Sequence, residues 1–167
     1  NQQLKSTKEE QEKLEAQINA IIHQSNYNGT YVGPMLWPVP TVRAISSYYG
    51  WRWGSLHRGV DIANGSIPIY GQKIVAAYSG TVIYANYTST WGGGYGYYVI
   101  IDHGKDSKGR KISSLYAHCS KVYARVGDKV VGGQTVIALA GSTGDVTGPH
   151  LHFEVRVNGT AVDPIAN

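Results

Sequence analysis

From residue 73 to the C-terminus, turn signals cut the chain into short runs of β-type residues, and this close punctuation leaves no stretch for a long helix. Residues 73–78 and 81–86 read as strands around the turn Ser79-Gly80. Residues 97–102 and 113–118 read as strands joined by the polar loop 103–111. Val126-Gly127-Asp128-Lys129-Val130 is a turn between short extended pieces, 135–140 is apolar, and 150–157 runs into an Asn158-Gly159 hairpin turn. The composition agrees, since 21 Gly and 13 Tyr against a single Phe and a single Met favour short strands and tight turns. A mainly β domain, barrel or sandwich, is the expectation.

Upstream the character of the chain changes. Residues 4–24 are rich in Glu, Lys, Gln and Ala, and positions 4, 7, 11, 14, 18 and 21 read Leu, Thr, Gln, Leu, Ile and Ile, a heptad seam that is weak at its start. So short a helix does not hold alone: it either packs on the domain or continues an upstream coiled coil. The coiled coil is the expectation, with a coiled-coil partner through the helix and a chain that forms part of something longer. Asn28-Gly29, Gly33-Pro34, Pro38 and Pro40 break any helix and read as a linker. The expected division is a helix over 1–25, a linker over 26–40 and a globular domain over 41–167.

Charge narrows the partners. The formal net charge is +4; the helix carries −1, so the basic character belongs to the globular part. It is spread thinly and forms no Lys/Arg cluster of the kind a nucleic-acid groove requires, but it suits an anionic polymer. No apolar run approaches the ~20 residues of a membrane span, and no signal peptide is present. The one cysteine, Cys119, excludes an internal disulfide. Four Asn-x-Ser/Thr sequences occur, at Asn28, Asn64, Asn86 and Asn158; three are Asn-Gly, which a turn explains.

The chemistry lies in three histidine segments. In Gly148-Pro149-His150-Leu151-His152-Phe153-Glu154-Val155, strand alternation puts His150 and His152 on one face, their Cβ atoms roughly 6–7 Å apart, with Leu151 and Phe153 opposite. Two such imidazoles bind one ion, work side by side, or are satisfied histidines beside a turn. In His57-Arg58-Gly59-Val60-Asp61 an imidazole and a carboxylate four residues apart can fold onto one ion. Zinc accepts that pair: a catalytic zinc commonly has three nitrogen or carboxylate ligands at about 2.0–2.2 Å and keeps a fourth position for water. His57 and Asp61 supply two, and one histidine of the His-x-His pair completes the set. In Leu115-Tyr116-Ala117-His118-Cys119, consecutive strand residues face opposite ways, so a His118 turned into a site sends Cys119 into the core. His103 is expected to hydrogen-bond its turn, and His23 to be solvated. The glycine loop from Trp91 to Tyr97 reads either as a groove wall or as a plain hairpin loop.

H-x-x-x-D, Y-A-H and H-x-H stand in that order within about 100 residues. Ile45-Ser46-Ser47-Tyr48-Tyr49-Gly50-Trp51-Arg52, Gly59-Val60-Asp61-Ile62-Ala63, Ala76-Ala77-Tyr78-Ser79-Gly80-Thr81-Val82, and Gly141-Ser142-Thr143-Gly144 before Thr147-Gly148-Pro149-His150-Leu151-His152-Phe153-Glu154 accompany them. Together, over residues 37–164, these resemble the lysostaphin-type (LytM-type) zinc endopeptidases of bacterial cell walls. The resemblance implies a mainly β, antiparallel folded-ribbon, barrel-sandwich-like domain with a central groove. It implies Zn2+ held by His57, Asp61 and His152, with His118 and His150 catalytic and unligated. It implies a peptidoglycan peptide substrate and an extracellular place at the cell wall or surface of a bacterium. Arg52, Arg58 and Tyr97 are the candidate substrate-binding residues, and a tyrosine near the metal is left unassigned among Tyr48, Tyr49 and Tyr97.

Two other readings compete. Coiled coils attached to such a domain also resemble the non-catalytic activators of cell-wall amidases, which typically have lost metal ligands, whereas all five residues are present here. The stretch 126–141 resembles a lipoate or biotin carrier, but neither Lys121 nor Lys129 sits at the hairpin tip that such a carrier needs.

Overall fold

Turn spacing in the sequence becomes an antiparallel sheet. The computed structural model describes residues 6–52 and 54–165. Helix α1 (Lys8–Gln24) leads into β1 (Ile45–Ser47), β2 (Gly50–Arg52), β3 (Ser55–His57), β4 (Val60–Ile62), β5 (Lys73–Val75) and β6 (Gly80–Asn86). After a 3-10 turn at Gly92–Gly94 come β7 (Tyr97–Lys105), β8 (Lys111–Val122), β9 (Lys129–Val130), β10 (Val136–Ala140), β11 (Leu151–Val157) and β12 (Thr160–Val162). One sheet runs β1-β4-β11-β8-β7-β6-β9, with β12 on β11 and β10 paired to both β5 and β8; β2 and β3 form a separate ribbon. The order ends at β1 and β9, so the mainly β expectation holds without a closed barrel. Asn158 and Gly159 both have positive φ (50° and 84°), as the two-residue hairpin between β11 and β12 requires.

The sheet is buried on both faces. Val60, Ile62, Val99, Ile101, Tyr116, Leu151, Phe153 and Val155 point into the main core. Tyr98, Ile100, Leu115 and Ala117 point the other way, onto Leu14, Ile18 and Ile22 of α1. Two-sided burial explains why β7 reads as a continuous apolar run where a half-solvated strand would alternate. It also corrects the expectation for the helix: the seam assigned to a coiled-coil partner is occupied by the domain's own sheet. Thr7, a seam position, instead caps α1 through a capping box with Glu10, each bond 3.0 Å. Leu4 lies outside the described residues. At the far end Lys111 Nζ donates to the carbonyls of Ile22 and Ser25, at 3.0 and 2.7 Å, placing a cation where the helix dipole favours one. Ile18→Ala is expected to cost about 2–4 kcal/mol in denaturant unfolding, because it opens a cavity between helix and sheet. The connection over 26–40 is strapped to the same body: Tyr31 N–H donates to Lys105 O at 2.8 Å, and Leu36 N–H to Ala77 O at 2.7 Å. Among the described residues no helix is long and apolar enough to cross a membrane.

His103 sits in the core and, contrary to expectation, bonds a different turn from its own. Nδ1 donates to the Ser79 carbonyl (3.0 Å), so Nε2 must accept from Ser114 Oγ (2.7 Å). Ser114 in turn accepts from the Tyr116 hydroxyl (2.7 Å), which accepts from Ala77 N–H (2.9 Å). Burial pushes the imidazole down to about 4, the Ser79 bond and Asp102 offsetting only part of it. The unfolded chain takes up this proton near pH 6.5 and the folded chain only near 4. Between those values the unfolded state binds more protons, so stability falls as pH drops from 6.5 to 4, by on the order of 3 kcal/mol for this group. Urea unfolding at pH 7 and 4.5 is expected to show a steeper loss in the wild type than in His103→Gln.

Candidate metal centre

Three strands bring the centre together. His57 ends β3, Asp61 lies in β4, and His152 lies in β11 directly opposite Asp61 in the β4–β11 register. Gly59 makes the turn possible: a Cβ there would stand 2.3 Å from the carbonyl oxygen of Phe153, so any side chain would force the His57–Asp61 turn away from β11. Asp61 Oδ1 lies 3.2 Å from His57 Nε2, 3.0 Å from His152 Nδ1 and 3.7 Å from His150 Nε2. The ligand atoms of His57, Asp61 and His152 all fall within 4.8 Å of one another.

Hydrogen bonds on the far side of each ring fix which nitrogen is bare. A carbonyl can only accept, so His57 Nδ1 donates to Tyr48 O (2.9 Å), His118 Nδ1 to Thr143 O (2.7 Å) and His150 Nδ1 to Gly148 O (3.0 Å). Each of these rings keeps a lone pair on Nε2. His152 is reversed: Nε2–H donates to Glu154 Oε2 at 2.8 Å, and Nδ1 faces Asp61.

This donor set fits a zinc ion. Two imidazole lone pairs and a carboxylate oxygen turn on one another with no hydrogen to share while the rings are neutral. Donors held at about 2.0–2.1 Å from a tetrahedral zinc stand about 3.3 Å apart, close to the 3.0 and 3.2 Å separations here. The carboxylates of Asp61 and Glu154 favour a positive charge at the same point, a proton on His152 or a cation in its place. Burial alone would raise the Asp61 carboxyl, yet bonds to His152 and His57 hold it well below the usual carboxylate range. Burial alone would lower His152, yet Asp61 and Glu154 raise it to about 9.

His118 reaches the site through a bulge. Tyr97 pairs with Cys119 but Val99 with Tyr116, so β8 carries one extra residue between them, and His118 there has φ +67°. Tyr116 and Cys119, three apart, therefore share the main core, while the ring of His118 comes to 4.8 Å from His150 and 6.0 Å from His152. The expected opposition of His118 and Cys119 is present, and the bulge is what directs the histidine to the cleft. Burial first, then the neighbouring His150 and His152, bring the His118 imidazole down to about 3; burial also lowers His150.

A cavity of 340 Å3 opens over these groups and is lined by all five residues. Arg58 also lines it; its Nε lies 3.3 Å from Glu15 Oε1 of α1. Arg52 and Tyr97 do not. Arg52 is exposed on β2, and Tyr97 packs on the main core in step with Val99 and Ile101. The tyrosine at the site is Tyr95, from the glycine loop: its hydroxyl bonds Glu154 and its ring lies 5.1 Å from that of His152. Gly93, Gly94 and Tyr95 line the cavity, so the loop is a wall, and Gly96 (φ +65°) presses so closely on Thr143 that a Cβ would stand 2.3 Å from its Oγ1. Tyr48 contributes only its carbonyl. Glu154 and Arg156, absent from the expected site, share the β11 face of His152. Period-two continuation of the His-x-His pattern, His150, His152, Glu154, Arg156, is the signal that points to them.

The model of peptidase family M23 matches residues 55–164. Over 129 residues the chain is 36% identical to a protein of Neisseria meningitidis named DD-carboxypeptidase/endopeptidase Mpg, covering 73% of this chain and 26% of that one. It is also 36% identical over 129 residues to the protein of Salmonella typhimurium named murein hydrolase activator NlpD, covering 77% of this chain and 30% of that one. A zinc-containing peptidase from Vibrio cholerae superposes with a TM-score of 0.65 at 32% identity, covering 80% of this chain and 40% of that one. The chain thus spans less than a third of either curated relative.

Proposed function

Because the chain belongs to peptidase family M23, we propose that it is a zinc-dependent endopeptidase that hydrolyses peptide cross-links of peptidoglycan outside a bacterial cell. His57, Asp61 and His152 hold the ion, and His118 and His150 move the protons. The observation that carries this reading is the convergence of the three ligand atoms within 4.8 Å, each imidazole anchored through its other nitrogen.

Zinc at this triad supplies Lewis acidity, polarising a peptide carbonyl and making water acidic enough to ionise near pH 7. The protein's own groups do the rest. His118 and His150 are held neutral by burial, and each keeps a bare Nε2 that can accept a proton from the attacking water. As the C–N bond breaks, that proton passes to the leaving amine. Backbone carbonyls fix both rings, so they reach the reaction already oriented. Arg58, on the cavity wall, offers a cation to a carboxylate of the cross-linked peptide.

The second reading, a non-catalytic activator of a cell-wall amidase, is favoured by the similarity to the Salmonella activator and by α1, which lines one side of the cavity. Against it stand the five intact side chains. Zinc-loaded protein incubated with purified peptidoglycan is expected to release fragments with new amine termini, detected by mass spectrometry, and His118→Ala to lower that release at least 100-fold. Zinc-loaded protein that releases nothing yet stimulates an amidase would replace the first reading with the second.

A further inference from the structure

The polar face of β11 continues past the metal ligands, and each member is held by the next. Glu154, fully buried, accepts three hydrogen bonds, from His152 Nε2 and the Tyr95 hydroxyl on Oε2 and from Arg156 Nε on Oε1 at 2.7 Å, and Arg156 Nη2 lies in ion-pair contact with Oε1 at 2.6 Å. Arg156, also fully buried, makes four hydrogen bonds with its five N–H donors. One goes to Glu154, one to the carbonyl of Gly159 (2.9 Å), and two to Glu15 of α1, Nη1 to Oε2 and Nη2 to Oε1, both 2.8 Å. A continuous line of charge-assisted bonds thus joins the helix to His152.

We propose that Glu154 is the positioning residue for His152, and that Glu15 of α1, acting through Arg156, sets how strongly Glu154 holds it, so that helix docking and metal affinity are coupled. A carboxylate on the second nitrogen of a metal-ligating histidine fixes the ring and raises its basicity, and its loss typically costs 10–100-fold in metal affinity. Arg156 divides its charge between two carboxylates. With Glu15 gone, the whole guanidinium charge falls on Glu154, which then polarises the His152 N–H less and leaves Nδ1 a poorer donor. Coupling is reciprocal, so a bound ion tightens the helix by the same factor.

This inference rests on the reading of His57, Asp61 and His152 as a zinc site, and competition with a chromophoric chelator separates the two. Wild-type protein that takes up no zinc contradicts the site itself. With zinc bound, Glu154→Gln is expected to weaken it about 10–100-fold. Glu15→Gln is expected to weaken it several-fold, and to have almost no further effect in the Glu154→Gln background. An equal Glu15→Gln effect in both backgrounds, or none in either, overturns the relay. If Glu154→Gln does not fold, hydrogen exchange of α1 decides: zinc should slow it in the wild type and much less in Glu15→Gln, and equal slowing in both contradicts the coupling.

Discussion

Replacing His152 with alanine is expected to strip zinc from the protein, whereas replacing His150 leaves zinc bound and lowers peptide hydrolysis about 100- to 10,000-fold. The two residues are two apart on one face, so their difference arises from the partners of their rings. His152 presents Nδ1 to Asp61 at 3.0 Å and is anchored behind by a buried carboxylate. His150 stands off at 3.7 Å, is anchored by the Gly148 carbonyl, and keeps its ring within 4.8 Å of His118. The first arrangement suits a ligand and the second a proton carrier. Metal content and turnover measured on both variants check the pair, and equal zinc loss in both would make them joint ligands.

Arg156→Met is expected to destabilise the protein by about 3–5 kcal/mol, because breaking a buried ion pair strands the charge left behind. Here two charges are stranded: Glu154, which lies fully inside, and Glu15, which faces the cavity. Burial on its own would raise Glu154, and Arg156 foremost, with His152, brings it down to about 2. Methionine fills much of the volume, so the loss is one of charge and not of packing. Thermal unfolding should begin about 10 °C lower, a protein of this size losing about 2–4 °C for each kcal/mol. A melting temperature within 2–3 °C of the wild type would mean that the cluster contributes little to stability.

Alternation made the centre legible in advance. Period two over residues 150–157 placed His150 and His152 together, and the glycine in His57-Arg58-Gly59-Val60-Asp61 marked a turn that the approach of β11 explains. Other parts depend on contacts between segments far apart in the chain. Nothing local announces that Glu15 meets Arg156 across 141 positions. Nor does a strand pattern reveal the extra residue in β8 that turns His118 into the cleft. Tyr95 and Tyr97 look equivalent in the glycine loop, and only the start of β7 just after Gly96 sends one to the cavity wall and the other to the core. The helix seam was visible, but an apolar stripe does not say whether a helix or a sheet will cover it.

The most direct test of the zinc assignment is X-ray absorption at the zinc edge on the one-equivalent complex of the wild type and of His150→Ala. The ligand set His57, Asp61 and His152 predicts two imidazoles with oxygen donors completing the shell, unchanged in the variant. Three imidazoles in the wild type falling to two in His150→Ala, or no imidazole at all, would contradict it.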